Sequence, residues 1–75
     1  MSDEDDRLSL EEAAQLARAF IALERMSPRT FRVFVSSQVE GRRYAEIARR
    51  ERMTIGQVRR HMRRAIKIIA RHMAD

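Results

Sequence analysis

The chain has no cysteine and no tryptophan, and its 75 residues include only two glycines, one proline, three phenylalanines and one tyrosine. Each shortage excludes something. Without cysteine there is no disulfide scaffold, no thiolate zinc site and no Cys nucleophile, so the core must come from packing alone and the chain suits a reducing cytoplasm. With so little Gly and Pro there is little punctuation. Few β-branched residues and much Ala, Leu, Arg and Met then lead to the expectation of a wholly helical fold. No apolar run approaches the roughly 18 to 20 residues of a membrane span. The opening Met1-Ser2-Asp3-Glu4-Asp5-Asp6 is acidic where a secretory signal would be basic and then apolar, so a soluble, cytoplasmic protein is expected. At 8.9 kDa there is room for one small domain, and a two-domain enzyme is excluded.

What the chain does have is charge. Sixteen Lys and Arg against eleven Asp and Glu leave a formal net charge of +5, with a pI near 11.2. The fitting partners are negative: nucleic acid, an anionic membrane surface or an acidic protein face. The acids collect at the front, in Asp3, Glu4, Asp5, Asp6, Glu11 and Glu12. The stretch from Arg42 to Arg71 contains Arg42, Arg43, Arg49, Arg50, Arg52, Arg59, Arg60, Arg63, Arg64, Lys67 and Arg71 against only Glu46 and Glu51. Nearly all of this cation is arginine, whose planar fork grips a phosphate or a guanine edge bidentately where lysine acts as a point charge. Residues 1–8 read as a disordered acidic tail and residues 9–75 as a single domain.

Four helices can be placed. Ser9-Leu10-Glu11-Glu12 has the capping-box form, so a first helix starts near Leu10, with Ala13, Leu16, Ala17, Phe20 and Leu23 as its expected core stripe. Ser27-Pro28 ends that helix and opens a second, because Ser is a good N-cap and Pro is accepted at the first helical position. The second helix is expected to bury Phe31, Phe34 and Val35 and to stop at Glu40-Gly41. A short third segment, Tyr44 to about Arg50, puts Tyr44, Ile47 and Ala48 on one face. Thr54-Ile55-Gly56-Gln57 is a second capping box opening a long helix, with Ile55, Val58, Met62, Ala65, Ile66, Ile69 and Met73 as a continuous stripe. The opposite surface carries Gln57, Arg59, Arg60, Arg63, Arg64, Lys67 and Arg71.

A short helix, a break of three or four residues and a capped helix with a basic outer face make the plan of a helix-turn-helix. The first helix braces the second, whose N-terminal turns enter the major groove. At 3.6 residues per turn Arg59, Arg60, Arg63 and Arg64 form a patch on one outer face and Gln57 sits near the tip, which makes these five the contact candidates.

The residues also resemble a known family. The run Met26-Ser27-Pro28-Arg29-Thr30-Phe31-Arg32-Val33-Phe34, then Val39-Glu40-Gly41, Tyr44-Ala45-Glu46-Ile47-Ala48 and Thr54 through Ala65, is similar to region 4 of bacterial sigma factors, most of all the small extracytoplasmic-function type. The likeness runs from about Leu23 to Ile69. It implies a four-helix domain that reads the promoter's upstream "-35" element with its last helix and packs an apolar groove onto the flap-tip helix of RNA polymerase. Carried over by position, base and phosphate contacts fall on Arg59, Arg60, Arg63 and Arg64, with Arg42, Arg43 and the Thr54 to Gln57 turn near the DNA backbone; Lys67 extends the same face. Three departures stand out. Glu51-Arg52 replaces the family's Leu-Gly turn, which puts a charge at a bracing position and a side chain where φ is often positive, at a cost on the order of 1 kcal/mol. Arg43 replaces an N-cap Ser, leaving Glu46 without its capping partner. The preceding domain that melts the "-10" element in a sigma factor has no room in 75 residues, so a stand-alone regulator or accessory subunit is expected.

Other readings remain beside this one. A sigma-mimicking module that binds the polymerase flap or an anti-sigma factor belongs to a different class of function. A basic amphipathic membrane-surface helix lacks any Trp, and its stripe is better used closing the core. An enzyme is not expected: His61 and His72 are read as lying on opposite sides of the last helix with no acid pair or thiol nearby, so neither a metal site nor an acid-base couple assembles, and no cofactor is implied. The methionines read as packing. A homodimer fits a core small enough to leave apolar faces of the first and last helices exposed.

Overall fold

A computed structural model describes residues 8–74, which form four helices: α1 (Leu10–Arg25), α2 (Pro28–Gln38), α3 (Tyr44–Glu51) and α4 (Ile55–Met73). The expected all-α bundle is thus the observed one, and most of the acidic tail lies outside the described residues.

The starts of the helices follow their caps. Ser27 Oγ accepts from Thr30 N at 3.2 Å with Pro28 in the first turn, and Met26 and Ser27 alone separate α1 from α2. At α4 the capping box is complete: Gln57 N donates to Thr54 Oγ1 at 3.0 Å and Thr54 N donates to Gln57 Oε1 at 2.8 Å. The box expected at α1 is only half made. Glu12 N donates to Ser9 Oγ at 3.1 Å, but the Ser9 hydroxyl donates back to the Glu12 carboxylate at 3.1 Å, so that carboxylate serves the side chain of the cap. Arg43, at the start of α3, makes no side-chain cap bond, as its substitution for a serine predicts.

The ends of α2 and α3 both use left-handed residues. Gly41, at φ 68, reverses the chain after α2, and Arg42 N reaches back to Ser36 O at 2.9 Å. Arg52, at φ 55, does the same after α3 with a side chain attached, which costs about 1 kcal/mol. The turn holds because its bonds are made. Arg52 N–H and Met53 N both donate to Ala48 O, the second at 2.9 Å, and Met53 packs onto the core beside Ala48. Glu51, at the charged bracing position, meets Arg32 of α2 at 3.1 Å. This pair is partly exposed and contributes at most about 1 kcal/mol.

α4 packs against each of the other three helices, and α2 packs against α3. The core is Val33, Ile47, Ala48, Val58 and Met62, with Phe34, Tyr44 and Met53 laid against it. Ile47, Val33 and Val58 are fully buried, each removing enough apolar surface to contribute about 1.5–3 kcal/mol. The faces expected for α3 and α4 are therefore those observed, though Ile55 and Ile66 at the edges of the α4 stripe remain exposed.

The faces of α1 and α2 need correction. In α1 only Ala22 is buried and Leu23 is half-buried, while Ala13, Leu16, Ala17 and Phe20 are exposed, Phe20 to 63%. A small side chain lets α1 lie close to α4, which rotates the larger apolar residues out of the contact. In α2 the buried residues are Thr30 and Val33, with Phe34 and Val35 half-buried and Phe31 exposed. Thr30 goes inside because its hydroxyl has partners there. His61 and His72 are eleven residues apart, close to three whole turns, so they share a side of α4 and stand about 16 Å apart along it.

Candidate nucleic-acid interface

The outer surface of α4 is built by the same periodicity that buries Val58, Met62 and Ala65. With those three turned inward, Arg59, Arg60, Arg63, Arg64 and Lys67 are all exposed. Among the described residues none of the five is ion-paired, whereas Arg32 and Arg42 are. The five cations thus keep their donors for an external anion. Their mutual repulsion is tolerated because water screens it.

The remaining candidates divide. Thr54 and Gln57 are exposed at the start of α4, but the Gln57 carboxamide oxygen is committed to the Thr54 amide, leaving the Nε2 donors for other use. Bidentate reading of adenine needs both ends of the amide, so Gln57 in this state serves as a donor only. Arg43 is exposed. Arg42 is half-buried and held between two carboxylates, its Nε 3.2 Å from Glu40 and its Nη1 3.0 Å from Glu46. Glu46, deprived of a cap to complete, thereby takes Arg42 out of the free positive surface.

The sequence alone suggested no role for His61. It is half-buried against α2, with Nδ1 2.8 Å from Thr30 Oγ1, and Thr30 is 1% exposed. Burial, followed by the charges of Arg64, Arg29 and Arg60, holds its pKa below the ordinary 6.5. Both effects favour the neutral ring. Arg29 is the residue that sequence reasoning missed: it lies on a different helix from the α4 cations, and no spacing rule relates residues 29 and 61. Its place in the second residue of a Pro-initiated helix was the available signal. His72 is occupied locally, donating from Nδ1 to Ile68 O at 2.9 Å.

A helix with one face in the core and an unpaired cationic face outward, braced by a shorter helix across the three-residue turn Arg52 to Thr54, is a helix-turn-helix. The family profile described as Sigma-70, region 4 matches residues 22–69, which is 48 of the 75 residues. The chain belongs to the sigma-70 region 4 family. No curated protein and no solved structure gives a significant match. A region 4 domain is a transcription module that binds DNA and RNA polymerase, and the family is not one of enzymes. Within this region 4 domain the described residues contain no His, Asp and Glu cluster able to hold a metal, and no helix long and apolar enough to cross a membrane.

Proposed function

We propose that this region 4 domain reads a "-35"-like element of duplex DNA with α4. The first turns of α4 enter the major groove, Arg59, Arg60, Arg63 and Arg64 divide base edges and phosphates among them, and Lys67 and Arg43 approach the backbone. The observation that carries this is the row of five exposed cations on α4 without an ionic partner among the described residues, directly behind a fully packed core. Arg42 contributes through position rather than charge, because two glutamates already hold it. The test is binding to duplex DNA across a salt series. With about four to six phosphates neutralised, log affinity falls against log salt with a slope near −4 to −5. A duplex that stays unbound at low salt would sink the reading.

A second reading is favoured by a separate observation. An open hollow of about 410 Å³ lies where α1 meets α2, lined by Phe20, Leu23, Glu24, Met26, Pro28 and Phe31. Its two exposed phenylalanines suit an apolar helix, as the flap of RNA polymerase or an anti-sigma factor would present. Purified polymerase passed over immobilised domain checks this. Retention that disappears with Phe20→Ser supports it, and no retention rejects it.

A further inference from the structure

We propose that the seam between α2 and α4, where Thr30 bonds His61 with Arg29 next to Thr30 in α2 and Arg60 and Arg64 one residue before and three after His61 in α4, is a phosphodiester-binding site at which His61 takes up a proton as a DNA phosphate docks, so that the domain holds duplex DNA more tightly in mild acid. The inference rests on the DNA-binding reading and extends it to Arg29 and His61, which lie off the recognition face of α4.

The hydrogen-bonded chain behind the ring accommodates both charge states. Thr30 Oγ1 has Ser27 Oγ at 3.0 Å on one side and His61 Nδ1 at 2.8 Å on the other. A hydroxyl has one proton to donate. With neutral His61, the Ser27 hydroxyl donates to Thr30, Thr30 donates to Nδ1, and the ring proton sits on Nε2. With charged His61, Nδ1–H donates to Thr30 Oγ1, Thr30 donates to Ser27 Oγ, and the exposed Ser27 turns its own proton to water. One proton has come from solvent, and no buried polar atom has lost its partner. An imidazole facing a buried group that only donates or only accepts would be fixed in one state.

What opposes the charged state is the surrounding field. The charges that bear on the ring are Arg29 from α2 and Arg60 and Arg64 from α4 itself, all exposed and all cationic. Among the described residues no carboxylate is paired with any of them. A phosphodiester drawn to these guanidiniums brings the missing negative charge, and the imidazolium then becomes a fourth donor cation. Its titration moves up on binding. By linkage, each unit of that movement strengthens binding up to tenfold as pH falls across the window between the free and bound values.

The experiment measures affinity for a duplex at fixed ionic strength from pH 5.5 to 8.0, using the full chain, H61Q, T30V and H72Q, and follows the His61 ring by NMR with and without the duplex. The full chain is expected to bind about three- to tenfold tighter at the acid end, with the ring titrating at higher pH in the complex. That ratio collapses towards one in H61Q whatever its absolute affinity, shrinks in T30V because Nδ1–H loses its acceptor, and persists in H72Q. Inorganic phosphate alone is expected to leave the ring's titration in place. A wild-type ratio in H61Q, a ring unmoved by DNA, or a shift with phosphate as large as with the duplex would each overturn the inference while leaving DNA binding intact. No binding at any pH would bring down the DNA reading as well. Should H61Q fail to fold, the NMR titration of the unaltered chain decides.

Discussion

The helix-turn-helix half and the amino-terminal helix of this domain are held in different ways. α3 and α4 contribute Ile47, Ala48, Val58 and Met62 to a closed cluster, joined by a turn whose backbone donors are satisfied. α1 contributes one buried alanine and leaves Leu16, Phe20 and Ile21 exposed. The difference separates stability from surface. The buried cluster lies beneath the face that carries the cations, whereas α1 leaves apolar area exposed.

The contrast is broken most forcefully in the cluster. Ile47→Ala removes a fully buried side chain and is expected to cost about 2–5 kcal/mol, while Leu16→Ala changes stability by no more than about 0.5 kcal/mol. Urea unfolding of the two variants checks this, and equal losses would place α1 in the cooperative core. Next come the caps. Thr54→Ala deletes a complete capping box and should lower global stability by about 1 kcal/mol, whereas Ser9→Ala frays the outer end of α1 and leaves the main transition near its original midpoint. Hydrogen exchange along both helices separates local opening from global.

In the opposite direction, Arg52→Gly relieves a left-handed side chain and should stabilise by about 1 kcal/mol, a rise of about 4–8 °C in the thermal midpoint. An unchanged midpoint would mean that the arginine makes contacts offsetting its backbone cost. Smaller still is Phe20→Ser, expected to alter stability by less than about 0.5 kcal/mol and to leave the salt slope of DNA binding unchanged. A loss of DNA affinity in that variant would merge the two surfaces that the comparison keeps apart.

The smallest effect concerns pH. The His61 pKa is lowered in the folded domain, so folding is favoured with the ring neutral; this stability is present above the ordinary histidine range and is lost as pH falls through the lowered value. In the absence of DNA, thermal unfolding between pH 8 and 5 should therefore show a decline that H61Q lacks. A parallel decline in both would assign it to other groups.

Much of the fold was legible from short-range signals. Ser27-Pro28 and Thr54 with Gln57 marked helix starts because capping acts within three residues, and Arg52 was correctly expected at a left-handed position. The cationic face of α4 followed from periodicity alone, since a single strong stripe of Val58, Met62 and Ala65 orients that helix. On α1 the apolar residues are spread too widely to select one face. Phe20 and Leu16 looked like core by size, yet close crossing favoured Ala22. Phe31 was expected inside and Thr30 was not singled out, for a related reason: a hydroxyl goes inside where a distant residue offers it a bond.

By itself, then, the sequence determined the number of helices, where each begins, and which side of α4 is charged, because propensity, capping and periodicity act over at most a turn or two. Only the tertiary structure decided which face of α1 is covered, that Arg42 is neutralised by Glu40 and Glu46, and that Thr30 meets His61 across 31 residues with Arg29 beside them. Those outcomes depend on how the helices cross, and a crossing is set by the shapes of two surfaces that no local pattern contains.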